Sequence, residues 1–130
     1  MSYLLDTDIF IDYLDGDLVT RQLINPLARQ GLAISTVTYM EAYQGILRDH
    51  NRAFALVRFE GFLVDVPVIP ISLEIARRCA ELREDLRRRG RRVRPRALDL
   101  LTAATALEHG YTLVTRNRAD DDDIPDLALV

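Results

Sequence analysis

Short apolar runs alternate with longer stretches of helical periodicity along the whole of this chain. That alternation limits what the chain can fold into. Tyr3 to Leu5 and Leu32 to Ser35 are runs of three and four residues, too short for buried helices, and each reads as a buried strand. Thr112 to Thr115 reads the same way, and Pro67 to Ile71 as a third strand or an edge strand, since two prolines remove ladder donors. Between them lie helices. Thr7 or Asp8 is placed to cap a first helix carrying Ile9, Phe10, Tyr13 and Leu14 and ended by Gly16. The next runs from near Leu18 to Gln30, interrupted or bent at Pro26. Further helices cover Thr36 to Arg48, Asn51 to Leu63, Leu73 to Arg89 and Ala97 to His109, the last with Gly110 just past its end. Arg91 to Arg96 is a basic loop, and the tail from Asp120 is a loop with a short last strand at Ala128 to Val130. Strands separated by helices predict an α/β domain with a mainly parallel sheet. With 130 residues, no repeat and no linker, a single domain spanning 1–130 is expected.

In such sheets ligands sit outside the carboxyl ends of the strands. The polar residues just after each strand are therefore the candidates. Asp6 directly follows the first strand, where its carboxylate points into the crevice; the competing role is a helix cap, which Asp8 fits better. Glu41 lies inside the helix Thr36 to Arg48 with Val37 and Gly45 one turn away on either side. Those apolar and small flanks turn its face inward, where an unpaired carboxylate is costly unless an arginine or a metal answers it. Asp99 sits in the first turn of its helix, above a stripe of small residues, Thr102, Ala103 and Ala106, that lets the helix approach the sheet closely. After the last strand come four consecutive aspartates, Asp120 to Asp123, any of which qualifies by composition as a fourth acidic group.

Carboxylates gathered at one place repel. A pair ~4 Å apart costs about 4 kcal/mol at an effective dielectric near 20, and without a cation their pKa values rise. Hard divalent ions such as Mg²⁺ or Mn²⁺ answer this with all-oxygen coordination. Neither histidine (His50, His109) nor the single cysteine, Cys79, falls among these positions, which sets zinc aside and excludes an internal disulfide. Mg²⁺ held by carboxylates suits hydrolysis of a phosphodiester.

The charge is unevenly placed. The net charge is −3, but residues 77–96 carry ten arginines against Glu81, Glu84 and Asp85, so the rest of the chain is strongly acidic. That segment is either a solvated helix face or a phosphate-contacting stripe beside a cation-binding pocket. All 17 basic residues are arginines. The missing lysine excludes a Walker-type P-loop and Schiff-base chemistry. No apolar run approaches the ~20 residues that span a bilayer. The start, MSYLLDTD, has neither the basic nor the long apolar region of a signal peptide, so a soluble cytoplasmic protein without membrane partners is expected.

Three blocks, in order and over nearly the whole chain, resemble the PIN-domain ribonucleases of the VapC toxin family, the toxins of VapBC toxin–antitoxin pairs. YLLDTDIFIDYL is similar to the family's first strand and acidic segment, with Asp8 where asparagine is commoner. STVTYMEAYQGI resembles the block carrying the helical glutamate, and LRRRGRRVRPRALDLLTAATALEHGYTLVTRN the block carrying the third acidic residue and the strand beyond it. The family then has an acidic residue three positions after the asparagine, followed by a phenylalanine and an Ile-Pro-Gly-like turn. Here these positions are Asp120, Asp121 in place of the aromatic, and Ile124-Pro125-Asp126.

The resemblance implies a three-layer α/β/α PIN-like domain. It implies a Mg²⁺- or Mn²⁺-dependent endoribonuclease that cleaves RNA phosphodiesters with a metal-activated water. Asp6, Glu41, Asp99 and Asp120 are then the catalytic and metal-holding set, with Thr7, Thr115 and Asn117 as polar helpers. It also implies a homodimer and a VapB-type antitoxin that blocks the site. Arg91, Arg92 and Arg94, just ahead of Asp99, become candidates for RNA backbone contacts, with a dimer or antitoxin surface as their competing role. Rival interpretations are a PIN domain with a degraded site that only binds RNA or protein, and a haloacid-dehalogenase-like phosphatase. The second shares Asp6-Thr7-Asp8 but has Phe10 where Thr or Val is usual and lacks the charge-neutralising lysine.

Overall fold

A computed structural model describes residues 2–130. The element order is β1 (Tyr3–Leu5), α1 (Thr7–Leu14), α2 (Leu18–Ala28), β2 (Leu32–Ser35), α3 (Thr36–Arg48), α4 (Arg52–Leu63), β3 (Val68–Ile69), α5 (Leu73–Arg88), α6 (Ala97–His109) and β4 (Thr112–Val114). Short 3₁₀ turns at Arg94–Arg96 and Arg118–Asp120 precede α6 and follow β4. The strands form one sheet in the order β3-β2-β1-β4, and every pairing is parallel.

The sheet is buried on both faces, and period-two alternation sorts its side chains into two cores. Tyr3, Leu5, Leu32, Ile34 and Val114 face α1 to α4, meeting Phe10, Ile24, Ile46 and Phe59. Leu4, Ala33, Ile69 and Leu113 face α5 and α6, meeting Ile75, Leu82, Leu86, Leu100 and Ala103. The result is the expected α/β/α sandwich. Fully buried Ala103, Ala104 and Ala106 let α6 lie close to the sheet, as the small-residue stripe predicts.

Several element ends shift by one residue from the sequence expectation, and four features differ by more. The strand expected over Pro67 to Ile71 keeps only Val68 and Ile69, because Pro67 and Pro70 flank it without N–H donors, and it lies at the sheet edge. The second helix runs through Pro26, which has no N–H to donate to the ladder, and stops two residues later at Ala28. The final strand at Ala128 to Val130 reduces to a single parallel bridge, Leu113 to Leu129. Neither Thr7 nor Asp8 caps α1. The cap is Asp6, whose extended backbone and Oδ1, 2.8 Å from the Thr7 N–H, serve the helix start. Asp6 thus takes the capping role that the sequence set against its place in the crevice.

Candidate active site

Parallel pairing puts the carboxyl ends of β1, β2 and β4 at one edge. The Asp6 N–H donates to the Val114 carbonyl at 3.0 Å, which ties the residue after β1 to the end of β4. Above that edge is a cleft of about 240 Å³ lined by Asp6, Thr7, Asp8, Glu41, Asp99, Thr115, Arg116, Asn117, Asp120 and Asp121. All seven of the expected catalytic and helper residues are therefore gathered in one place, from segments more than 100 positions apart.

Each side chain is held by a local device. Asp6 is fastened twice, by the Thr7 N–H on Oδ1 and by the Thr115 hydroxyl on Oδ2 at 3.1 Å. Thr115 is itself steadied by accepting the Asn117 N–H at 3.2 Å, so Asn117 acts through its backbone. Glu41 rises from the middle of α3 and accepts the Thr7 hydroxyl on Oε1 at 2.5 Å. The partner is a hydroxyl, not the arginine that was the alternative. Below it, Thr7 lies 3.1 Å from the Thr38 hydroxyl, and the Ser35 hydroxyl caps α3 through the Thr38 N–H and meets the Thr102 hydroxyl of α6 at 3.2 Å. This buried chain of hydroxyls joins the helix that carries Glu41 to the helix that carries Asp99.

Electrostatics follow from the crowding. Burial raises the Asp6 carboxyl above the usual carboxylate range, with Asp8 and Asp120 adding to it and the Thr7 and Thr115 hydrogen bonds opposing. Asp99 is raised by burial and then by Asp6, Glu41 and Asp120, against the pull of Arg96. Asp121 is pushed up to about 6, first by burial and then by Asp6 and Asp99. A set of oxygen donors that resist ionising beside one another is what a hard divalent cation relieves. Among the described residues no three aspartate, glutamate, histidine or cysteine side chains are grouped so as to hold one ion together. An ion such as Mg²⁺ keeps most of its waters and needs only one or two direct carboxylates, so the donor set fits it.

The acidic run divides sharply. Asp120 and Asp121 line the cleft, whereas Asp123 turns away to a bidentate pair with Arg96, both N–O distances 2.9 Å. Asp122 is exposed and outside the lining. Arg91, Arg92 and Arg94 are exposed and do not line the cleft, and Arg91 stands 3.8 Å from Asp123. Much of the basic segment is satisfied within the fold: Arg78 pairs with Glu108, Arg87 and Arg88 with Glu84, and Arg89 with Asp85. Sequence reasoning left Asp121 as one of four open candidates and did not single out Arg116 or Arg96. Arg116 lines the cleft and is ion-paired to Asp12.

A family model described as the PIN domain matches residues 3–124. The tRNA(fMet)-specific endonuclease VapC of Shigella flexneri is 30% identical over 118 residues, which cover 90% of this chain and 87% of that protein. Ribonuclease VapC5 of Mycobacterium tuberculosis is 35% identical over 121 residues, covering 91% and 82%. Among solved structures, VapBC2 from Rickettsia felis bound to a DNA fragment from its promoter aligns with a TM-score of 0.88 at 26% identity, over 100% of this chain and 98% of that one.

Proposed function

The chain belongs to the PIN-domain family and is of the VapC type, and on that premise we propose that it is a Mg²⁺- or Mn²⁺-dependent endoribonuclease, the toxin of a VapBC-like pair. The observation that carries this reading is the convergence of Asp6, Glu41, Asp99 and Asp120 on one cleft at the carboxyl ends of parallel strands. Asp6, Asp99, Glu41 and Asp120 would hold the ion. When bound, Mg²⁺ or Mn²⁺ supplies charge neutralisation at a phosphoryl oxygen and a more acidic water.

The chain's own residues supply preorganisation. Asp6 is locked by Thr7 and Thr115, and Glu41 by Thr7, so the two carboxylates meet an incoming phosphodiester without first reorienting. Asp99 reaches the cleft from the first turn of α6, where burial and the neighbouring carboxylates oppose its ionisation, the penalty a bound cation would relieve. An anionic cleft repels an anionic substrate. In this reading Arg116 inside it and Arg91, Arg92 and Arg94 outside it offset that repulsion by contacting phosphates. A VapB-type antitoxin and a second copy of the chain are the proposed protein partners. The VapB assignment is supported by the fold shared with the VapBC2 structure. No helix among the described residues is long and apolar enough to cross a membrane.

The test is incubation of purified protein with RNA and Mg²⁺ or Mn²⁺, with and without excess EDTA. Cleavage that requires the ion and disappears in Asp6→Asn supports the reading; binding of RNA without cleavage under all conditions overturns it.

A further inference from the structure

We propose that Asp121 is a further ion-holding carboxylate of this cleft. The inference rests on the metal-dependent reading above and adds one carboxylate to it.

Three observations carry it. Asp121 is only 6% exposed, the most deeply buried acidic residue among those described, whereas Asp120 and Asp122 beside it are exposed. Its carboxylate accepts no hydrogen bond and forms no ion pair among the described residues, unlike Asp6, Glu41 and Asp123, each of which has a named donor. Its oxygens are nevertheless not sealed in, because the side chain lines the cleft that Asp6 and Asp99 also line. A buried carboxylate with no partner is costly and is normally found satisfied. Here its free oxygens meet no donor within the fold, and the space they open onto is the one the other carboxylates share.

Packing holds it there. The 3₁₀ turn Arg118–Asp120 ends at Asp121, whose N–H donates to the Arg118 carbonyl at 3.1 Å. Arg96 fastens the same turn by donating to the Asp120 carbonyl at 2.8 Å and by its pair with Asp123. Ile124, buried in the core beneath α6, anchors the far side. The turn is therefore held at both ends while the residue between them is directed into the cleft.

The experiment is titration of the full chain with Mn²⁺ by calorimetry, with melting temperatures recorded with and without the ion. Wild type, Asp121→Asn, Asp121→Ser and Asp122→Asn are compared, and RNA cleavage is measured in parallel. Losing even a supporting partner of a metal ligand costs about 10–100-fold in affinity, so Asp121→Asn should weaken Mn²⁺ binding at least about tenfold. It should also melt higher than wild type without the ion and gain less from the ion. Asp122→Asn should match wild type in both. Asp121→Ser gives the same comparison should the Asn variant not fold. Unchanged Mn²⁺ affinity and an unchanged ion-induced melting shift in a folded Asp121 variant overturn the inference while leaving the nuclease reading intact. Loss of affinity in a wild-type background that binds Mn²⁺ but cleaves no RNA supports Asp121 and overturns the nuclease reading. A wild type that binds no Mn²⁺ overturns both.

Discussion

The hydroxyl of Thr7 donates to Glu41 Oε1 at 2.5 Å across 34 positions of sequence, while the backbone N–H of the same residue donates to Asp6 Oδ1 at 2.8 Å. One residue thus sets the relative placement of two carboxylates from different segments. A hydrogen bond to a charged group contributes about 1.5–3 kcal/mol, so Thr7→Val should slow RNA cleavage roughly tenfold to a hundredfold. Thr7→Ser should retain most of the rate. Single-turnover cleavage with a melting curve for each variant checks this, and equal rates in the Val and Ser variants would dismiss the role of the hydroxyl.

Asp6→Asn, Glu41→Gln and Asp99→Asn should each reduce cleavage by about a hundredfold or more, the scale of losing a positioned catalytic group. None should unfold the protein, since Asn still caps α1 and the site sits outside both hydrophobic cores. Cleavage assays beside circular dichroism decide it, and full activity in a folded variant removes that residue from the site.

Stability should fall as pH rises across the acidic range in ion-free buffer. The Asp121 carboxyl is pushed up to about 6 in the folded chain, chiefly by burial, from an ordinary 3.8 in the unfolded chain, and Asp6 and Asp99 are shifted the same way. Between those values the native state binds more protons, so stability present at about pH 4.5 is lost by about pH 7. A melting temperature about 5 °C lower at pH 7.5 than at pH 5 is expected, and saturating Mg²⁺ should flatten the slope. Differential scanning calorimetry across that range, with Asp121→Asn alongside, tests it. A slope unchanged by both the ion and the substitution would rule the cleft out as its source.

Asp123 behaves in the opposite sense. The Arg96 guanidinium holds its carboxyl below the usual range, so the stability of the pair is present above about pH 4 and lost as pH falls through the folded value. Both side chains are mostly buried, and Arg96→Ala should cost about 1–3 kcal/mol at neutral pH. Because Arg96 also holds the Asp120 carbonyl, the variant should bind Mn²⁺ more weakly. Urea unfolding and Mn²⁺ titration report the two effects, and a drop in stability with untouched ion affinity would separate the turn from the site.

Replacing Arg91, Arg92 and Arg94 together by Ala should weaken RNA binding and flatten its dependence on salt by roughly 0.7 per lost phosphate contact. Arg92 and Arg94 should account for most of it, since Arg91 already stands near Asp123. Fluorescence anisotropy at several salt concentrations gives the slope, and an unchanged one would reassign these arginines to protein contacts.

The sequence by itself determined the order of strands and helices, because side-chain periodicity, caps and helix-ending glycines act over a few residues. It placed Leu32 to Ser35, Thr36 to Arg48 and Ala97 to His109 at their observed limits, and it singled out Asp6, Glu41 and Asp99 from their places after a strand or on an inward helix face. The division of the run Asp120 to Asp123 was beyond it, since four identical residues in a row carry no local signal. Only the tertiary structure could make that division. Parallel pairing of β4 with β1 brings the turn beside Asp6, Arg96 from before α6 takes Asp123, and the core takes Ile124, leaving Asp121 directed into the cleft. The same long-range packing paired Arg78 with Glu108 and Arg96 with Asp123, whereas Arg87, Arg88 and Arg89 met carboxylates three or four positions away on their own helix. Pairing between segments tens of residues apart depends on where the sheet and helices bring them, and short-range pattern does not encode that.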